Sequence, residues 1–157
     1  MKFPFKLPEL KKYRRALAFF LAALGYNGLV FHEAREASMT ANKPLLNVGC
    51  KSAYTESSDI NLDIVPRQAP RFVLGDIQDL SMFTEKQFGA VYASHVLEHV
   101  EDPDAALNEM YRVAENVFVI TPLPIWPWAW LHPDHKWVLL GTKKICRLPR
   151  IKTTNGD

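Results

Sequence analysis

Short apolar runs alternate with helix and turn signals from Lys43 onward, and this alternation constrains the fold more than any other feature. Each run is rich in aliphatic or aromatic residues and is bounded by Gly, Pro or polar residues, as buried strands are. Strands that alternate with helical segments form βαβ units, whose strands are parallel. We therefore expect an α/β fold around a mostly parallel sheet. The predicted strands are residues 44–50, 60–65, 71–77, 88–94 and 116–122.

The sequence Asp102-Pro103-Asp104 predicts the start of a helix over residues 104–114. A capping Asp accepts hydrogen bonds from amide groups that the helix leaves unpaired, and Pro suits the first helical turn. Between the third and fourth predicted strands, residues 81–87 are expected to form a short helix or a turn.

Composition and charge exclude several classes of protein. The 157 residues are 48% hydrophobic and 23% charged, which suits a single globular domain. The net charge is +2 and no stripe of Lys and Arg interrupts the middle of the chain, so we predict no nucleic-acid partner. Cys50 and Cys146 lie far apart without CxxC spacing, which predicts neither a disulfide framework nor a cysteine metal site. A reducing cytoplasm is then the default location.

The N-terminal segment is apolar over a long run. A basic cluster at residues 11–15 precedes residues 16–31, which carry no charge. Three arrangements remain open: a helix buried on its own domain or covered by a partner chain, a helix lying in a membrane interface, and a membrane span. The run is short for a span and is interrupted by Gly25, Asn27 and Gly28.

Residues 121–140 hold all four tryptophans together with several prolines, and we expect an irregular loop there. The tail from Gly141 is basic and polar, with weak periodicity.

Glycine or acidic residues stand at the ends of three successive predicted strands. In an open α/β sheet the ligand crevice lies at the carboxyl ends of the strands. Gly49 suits a tight turn against a ligand, and Asp63 can accept both hydroxyls of a ribose, although an ordinary loop Asp is the alternative. Asp76 can accept a hydrogen bond from an adenine amino group while Ile77 packs on the ring. Together these positions predict a nucleotide-like ligand.

The order LNVGC, NLDIVP, GDI and VYASHVLEHVEDPDAALNEMYRV resembles the type 11 branch of class I methyltransferases that use S-adenosylmethionine (SAM). The resemblance covers residues 44–122 and extends toward Leu139. It implies a Rossmann-like sheet of about five strands in the order 3-2-1-4-5, with SAM as the cofactor. It assigns Asn47, Gly49 and Cys50 to the first SAM loop, Asp63 to the ribose, Asp76 and Ile77 to the adenine, and Ser94, His95 and Leu97 to the methionine end.

Three departures from this family pattern stand out. Lys51 replaces a glycine that usually follows the Gly-Cys pair, and the usual Lys-Pro-Gly-Gly turn before strand five is missing. Few residues remain for the sixth and seventh strands, so we expect a truncated sheet with an extra N-terminal apolar helix. We divide the chain into a helix and linker (1–42), a SAM-binding core (43–140) and a basic tail (141–157).

Four histidines require separate interpretation. His95 and His99 are four residues apart, as metal ligands on a helix can be, but no third ligand is evident nearby and we predict no metal site. His99 is instead expected to order its loop through a hydrogen bond to backbone. His132 and His135 resemble a segment that lies near the acceptor in related methyltransferases. We take His95, His132 and His135 as candidate catalytic groups, with a structural role as the alternative.

The resemblance implies a SAM-dependent methyltransferase, and the apolar N-terminus and tryptophan-rich segment favour a hydrophobic or lipid-like small acceptor. The alternative is a non-catalytic SAM-fold module for binding or assembly. Expected partners are the acceptor and either a membrane surface or a second copy of the chain, contacted through the N-terminal helix. The expected location is the cytoplasm, peripheral to the membrane.

Overall fold

A parallel five-stranded sheet lies at the centre of the computed structural model, which describes residues 27–50 and 59–149. A separate two-stranded antiparallel sheet follows it in the chain. The elements are α1 (27–40), β1 (Leu45–Val48), β2 (Ile60–Asp63), β3 (Phe72–Leu74), β4 (Phe88–Ser94), α2 (Pro103–Val113), β5 (Ala114–Ile120), α3 (Pro127–Leu131), β6 (Trp137–Leu140) and β7 (Lys143–Arg147).

The strand order of the main sheet is β3-β2-β1-β4-β5, and every pair in it is parallel. This confirms the predicted α/β class, the five strands and their order. Lys51, the basic cluster at 11–15, the apolar run up to residue 26 and the last residues of the predicted tail lie outside the described residues. The expectations for the N-terminal helix as a membrane or dimer contact therefore stay predictions.

Two apolar clusters cover the two faces of the sheet, because successive side chains of a strand point to opposite faces. In β1, Leu46 and Val48 belong to the cluster that includes Met110 of α2. Leu45, which precedes Leu46, belongs to the cluster that includes Phe31 of α1. Burial on both faces explains why the predicted strands are continuous apolar runs and not alternating ones.

Helix α1 brings the end of the uncharged run against the sheet. The rings of Phe31 and Tyr92 meet edge to face, with 5.1 Å between their centroids. Gly89 of β4 is required beneath the helix, since a Cβ there would lie 2.7 Å from the Ser38 Cα atom. The described end of the run is thus folded on its own domain. None of the helices in the described part of the chain has the length and apolar character needed to cross a membrane.

Helix α2 begins as the sequence predicts. The Asp102 carboxylate accepts hydrogen bonds from the amides of Asp104 and Ala105 at 3.0 and 3.3 Å, and Pro103 occupies the first turn. The helix ends at Val113, and β5 starts at the next residue.

Two charged side chains of α2 hold the turns between β3 and β4, the region expected to be a short helix or turn. Arg112 donates hydrogen bonds to the Leu80 and Phe83 carbonyls at 2.8 and 3.0 Å, and it contacts Glu109 at 2.7 Å. Glu109 in turn accepts from the Leu80 amide at 2.8 Å. Hydrogen bonding to Arg112 holds the pKa of the Glu109 carboxyl below its usual range, although partial burial opposes this.

The region after β5 corrects the sequence interpretation. Residues 121–140 were expected to be an irregular loop and the next residues a weakly periodic tail, but they contain α3 and the hairpin β6–β7. Gly141 turns the hairpin with φ +60°, so the division drawn after residue 140 falls between two paired strands. Val138 and Leu139 are buried, and Leu139 joins the same core as α2. The pattern is hard to recognise in the sequence because the second strand is mostly exposed.

Replacing Arg112 with Leu should lower the free energy of unfolding, because two carbonyls lose their donor and Glu109 loses its partner. Urea denaturation of the variant and the wild type measures this. The difference should shrink in acid, because the pKa of Glu109 is lowered in the folded state. The ionised carboxylate stabilises the fold above the unfolded-state pKa, and this contribution is lost as the pH falls through the folded-state pKa. Lys143→Leu is the control, since exposed Lys143 carries the same charge without these contacts; an equal loss in both variants would contradict the assignment.

Candidate functional site

The carboxyl ends of the parallel strands meet at one edge of the sheet. Backbone hydrogen bonds between neighbouring strands continue into the first residues of the loops. The Gly49 amide donates to the Leu62 carbonyl at 2.8 Å, and the Gly75 amide donates to the Asp63 carbonyl at 3.1 Å. Between β4 and β5, the His95 amide donates to the Ile120 carbonyl at 2.8 Å. The structure thus brings the predicted residues after β1, β2, β3 and β4 to the same edge.

Position 49 requires glycine for two reasons, its backbone conformation and the lack of space for a side chain. Its φ is +66°, and a Cβ placed on it would lie 2.5 Å from the Val96 Cγ2 atom. The loop after β1 therefore lies directly against the loop after β4. Asn47 is buried below this contact, where its side-chain amide donates to the Asn61 Oδ1 atom at 3.0 Å. This bond joins β1 to β2 just beneath the edge.

Asp63 is a buried carboxylate at the end of β2. Its Oδ1 atom accepts from the Val65 amide at 3.0 Å, and its Oδ2 atom accepts from the Arg67 Nε atom at 3.1 Å. Cys50 is also buried, and burial together with the charge of Asp63 raises the pKa of its thiol. These surroundings favour the neutral thiol of Cys50 over the thiolate.

The residues predicted to bind adenine follow β3. Asp76 is partly exposed and accepts hydrogen bonds from the Gln78 amide at 2.9 Å and from the Gln78 side chain at 3.0 and 3.2 Å. Ile77 is buried in the core cluster of α2, as is Leu97 after β4. These two residues support their loops from below, and direct contact of either with a cofactor stays a prediction.

His95 follows Ser94, the last residue of β4, in a left-handed backbone conformation with φ +56°. This conformation is uncommon for a residue other than glycine and is frequent at functional sites. The ring is well exposed, and its Nδ1 atom lies 3.3 Å from the Glu98 Oε1 atom. A histidine oriented by a carboxylate is the usual arrangement of a general base.

Glu98 is a residue that the sequence interpretation missed. Its side chain is 1% exposed, and its Oε2 atom has no hydrogen-bond partner among the residues that the structure describes. Its backbone carbonyl accepts from the amides of Lys136 and Trp137 at 2.7 and 3.2 Å. An acid between two histidines in SHVLEH was the available signal, but its burial depends on the distant hairpin.

His99, His132 and His135 form one cluster, here called the histidine cluster. One ring nitrogen from each can be chosen so that all three atoms lie within 4.8 Å of one another. The predicted bond of His99 to backbone is confirmed, since its Nδ1 atom lies 3.0 Å from the Asp134 carbonyl oxygen. Burial lowers the pKa of His135, and the nearby His99 and His132 lower it further, against the opposing effects of the Ala129 carbonyl and Glu98. Of the three candidate catalytic histidines, His132 and His135 therefore lie together. His95 is not in this cluster; its ring contacts the Glu98 carboxylate.

Two cavities in the described part of the chain lie at opposite ends of the parallel strands. One of about 470 Å³ opens beside the histidine cluster and is lined by His99, His135, Lys136 and Arg147, among others. Another of about 440 Å³ is lined by Arg35, Lys43 and residues before β1 and β2, so it lies at the amino ends of the strands. By the position rule for open α/β sheets, only the first is on the side where ligands bind.

The family model described as a methyltransferase domain matches residues 41–117. This range holds β1 to β4, α2 and the first half of β5, together with all the predicted cofactor residues. This part of the chain is a type 11 methyltransferase domain. The methyltransferase domain thus includes His95, Glu98 and His99, whereas His132 and His135 lie beyond the matched residues.

Among solved structures, the chain is similar to a SAM-dependent methyltransferase from Archaeoglobus fulgidus. The two are 20% identical, the match covers 74% of this chain and 66% of the archaeal chain, and the TM-score is 0.48. A likeness of this degree bears on neither the acceptor nor the site residues. Among curated proteins there is no match to the chain.

Replacing Gly49 with Ala should lower the free energy of unfolding by more than replacing Gly141 with Ala. Both positions have positive φ, which costs an alanine roughly 1–2 kcal/mol, but the space around Gly141 is open within 4 Å. The contact with Val96 should add about 1–3 kcal/mol at Gly49. The double variant Gly49→Ala/Val96→Ala, compared with Val96→Ala by urea denaturation, should recover part of this excess. Equal losses at the two glycines would show that the loops do not meet in solution.

Proposed function

We propose that this chain is a SAM-dependent methyltransferase that binds its cofactor at the carboxyl edge of the sheet. The observation that carries the proposal is the placement of Gly49, Asp63 and Asp76 at three strand ends in register, within a methyltransferase domain. Bound SAM would supply an electrophilic methyl group on its sulfonium sulfur. The protein's task is then mainly to align an acceptor and to receive its proton.

The residues at this edge suit the cofactor's parts. Gly49 has no side chain and a positive φ, so the loop after β1 can turn tightly at the edge and present its backbone amides to a ligand. Asp63 is a carboxylate at the end of β2, and its oxygens are acceptors of the kind that ribose hydroxyls donate to. Asp76 is partly exposed and can likewise accept from an adenine amino group.

His95 is the group that we assign to proton removal. When its Nδ1–H donates to Glu98, the other ring nitrogen is unprotonated and can take a proton from the acceptor. Glu98 would hold this tautomer, as the third member of a catalytic triad does. His95 lies at the methionine end of the proposed site, next to Ser94, so this nitrogen is close to where methyl transfer would occur.

The proposed acceptor is hydrophobic or lipid-like and is taken from a membrane surface on the cytoplasmic side. Large apolar side chains are exposed in and around α3: Ile125 is 82% exposed, Leu131 72% and Trp128 63%. A cluster of this kind on the surface is typical of a membrane or ligand contact, and Trp favours the membrane interface. We call these three residues the α3 patch.

A non-catalytic SAM-fold module is the second candidate function. The observation that favours it is the ion pair between Arg67 and the carboxylate that would hold the ribose, at 3.1 Å. In such a module this pair would serve stability alone. Cofactor binding separates the two candidates.

Calorimetric titration with SAM should show binding by the wild type. Asp63→Asn should weaken it by about 1–3 kcal/mol, or roughly 5- to 150-fold in the dissociation constant, because a charged acceptor is lost. Asp79→Asn is the control, since exposed Asp79 loses the same charge and its carboxylate accepts a local hydrogen bond from the Ser81 amide. An unchanged constant in Asp63→Asn would remove Asp63 from the site. No wild-type binding at millimolar SAM would leave only the binding module.

The double variant Ile125→Ser/Leu131→Ser should reduce sedimentation with phosphatidylglycerol-containing vesicles by roughly tenfold or more, since each buried aliphatic side chain contributes about 1.5–3 kcal/mol. The control is Tyr111→Ser/Ile145→Ser, which removes exposed apolar side chains away from the α3 patch. If the two double variants bind vesicles equally well, the α3 patch is not the membrane contact.

A further inference from the structure

We propose that the histidine cluster is a binding site for a divalent transition-metal ion, zinc above all, with one coordination position open to the adjoining cleft. Imidazole nitrogen suits zinc, and three histidines with a fourth open position form a known class of zinc site. The proposal does not rest on methyl transfer, because a metal can bind here whether or not SAM binds at the strand edge.

The three rings converge from two separate loops. His99 lies in the turn after β4, where its amide donates to the Val96 carbonyl at 3.0 Å. His132 and His135 lie in the tight turn after α3, closed by a backbone bond between them of 3.2 Å. The ring centroids are 4.5, 4.8 and 5.7 Å apart. Three imidazoles on one tetrahedral zinc, with Zn–N bonds of about 2.0–2.1 Å, would have centroids roughly 5 Å apart.

Two of the histidines already have the tautomer that a metal needs. The Nδ1 atoms of His99 and His135 lie 3.0 and 3.1 Å from the carbonyl oxygens of Asp134 and Ala129. A carbonyl can only accept, so Nδ1 carries the proton in both rings and Nε2 keeps its lone pair. Metal-ligating histidines are held in this way by a backbone carbonyl or carboxylate in the outer shell.

His132 requires a small adjustment. Its Nδ1 atom accepts from the Asp134 amide at 3.2 Å, so this lone pair is engaged in the present arrangement. His132 must give up this long bond or turn its ring to bind a metal. Tetrahedral zinc requires about 3.3 Å between ligand nitrogens, so the most distant pair must approach by up to roughly 1.5 Å. Side-chain rotation in the half-buried His132 supplies such a movement without displacing a strand.

Glu98 provides a second, independent indication of a cation. It is buried, its Oε2 atom has no partner within the described part of the chain, and it lies close enough to His135 to interact with that ring electrostatically. Leaving a buried carboxylate oxygen unpaired is costly, and a positive ion next to His135 would offset that cost. A carboxylate in the outer shell is also the common companion of histidine ligands.

The cleft of about 470 Å³ beside the cluster provides access for the ion and its fourth ligand. His99 and His135 line it together with Lys136 and Arg147, whose charges are paired with Glu101 at 3.2 and 2.7 Å. Water or the oxygen of a small ligand can therefore occupy the open position.

Calorimetry of the chelator-treated full-length chain with zinc chloride should show one site with a dissociation constant in the micromolar range or below. His99→Ala and His132→Ala should each weaken it by about 100-fold or more, since losing an outer-shell partner alone typically costs about 10- to 100-fold. His132 is the main test, because its ring is only half buried and its loss should leave the fold intact. His32→Ala on α1 is the control, since that exposed histidine pairs with Glu36 of the same helix at 3.7 Å.

Cobalt(II) identifies the ligand type by a second measurement. The expected spectrum has visible bands of tetrahedral cobalt without a thiolate charge-transfer band, and His132→Ala should lose the visible bands. A thiolate band would assign the metal to Cys50 or Cys146 and overturn the proposal. Equal zinc affinity in the wild type and both histidine variants, or no wild-type binding at about 100 μM zinc, would also overturn it. Because SAM titration is a separate measurement, failure here leaves the proposed function untouched.

Discussion

The parallel pairing of β1 with β2 on one side and with β4 on the other determines where everything else in the structure lies. Parallel strands of one sheet end on the same side, so their loops meet at a single edge. Gly49 marks this edge, because its positive φ and its close approach to Val96 join the loops after β1 and β4. The candidate cofactor residues are therefore placed by backbone pairing and not by contacts among their own side chains.

The loop after β4 connects this edge to the second region of interest. Its Glu98 contacts His95 through the side chain and accepts two amide hydrogen bonds, from Lys136 and Trp137, through the backbone. The hairpin that follows the methyltransferase domain is thereby held against the segment SHVLEH of that domain. One buried residue thus lies between the proposed proton acceptor and the histidine cluster.

The hairpin also explains how a short chain closes its core. Methyltransferases that resemble this chain usually continue the main sheet with two more strands, whereas within residues 27–50 and 59–149 the strands β6 and β7 pair only with each other. Leu139 of β6 nevertheless packs in the same apolar cluster as α2. Ion pairs from Lys144 to Asp104 and from Arg147 to Glu101 anchor the exposed strand to the domain.

The five strands, their parallel arrangement and the Asp102 cap of α2 could be predicted from the sequence, because apolar runs, chain breaks and capping residues act locally. The strand ends predicted from it do meet at one edge. The hairpin, the burial of Glu98 and the convergence of His99 with His132 and His135 became visible in the folded chain alone. These depend on contacts between residues more than thirty positions apart, which no local pattern encodes. Spacing along the chain offered no third ligand for the pair His95 and His99, whereas the fold brings His132 and His135 next to His99.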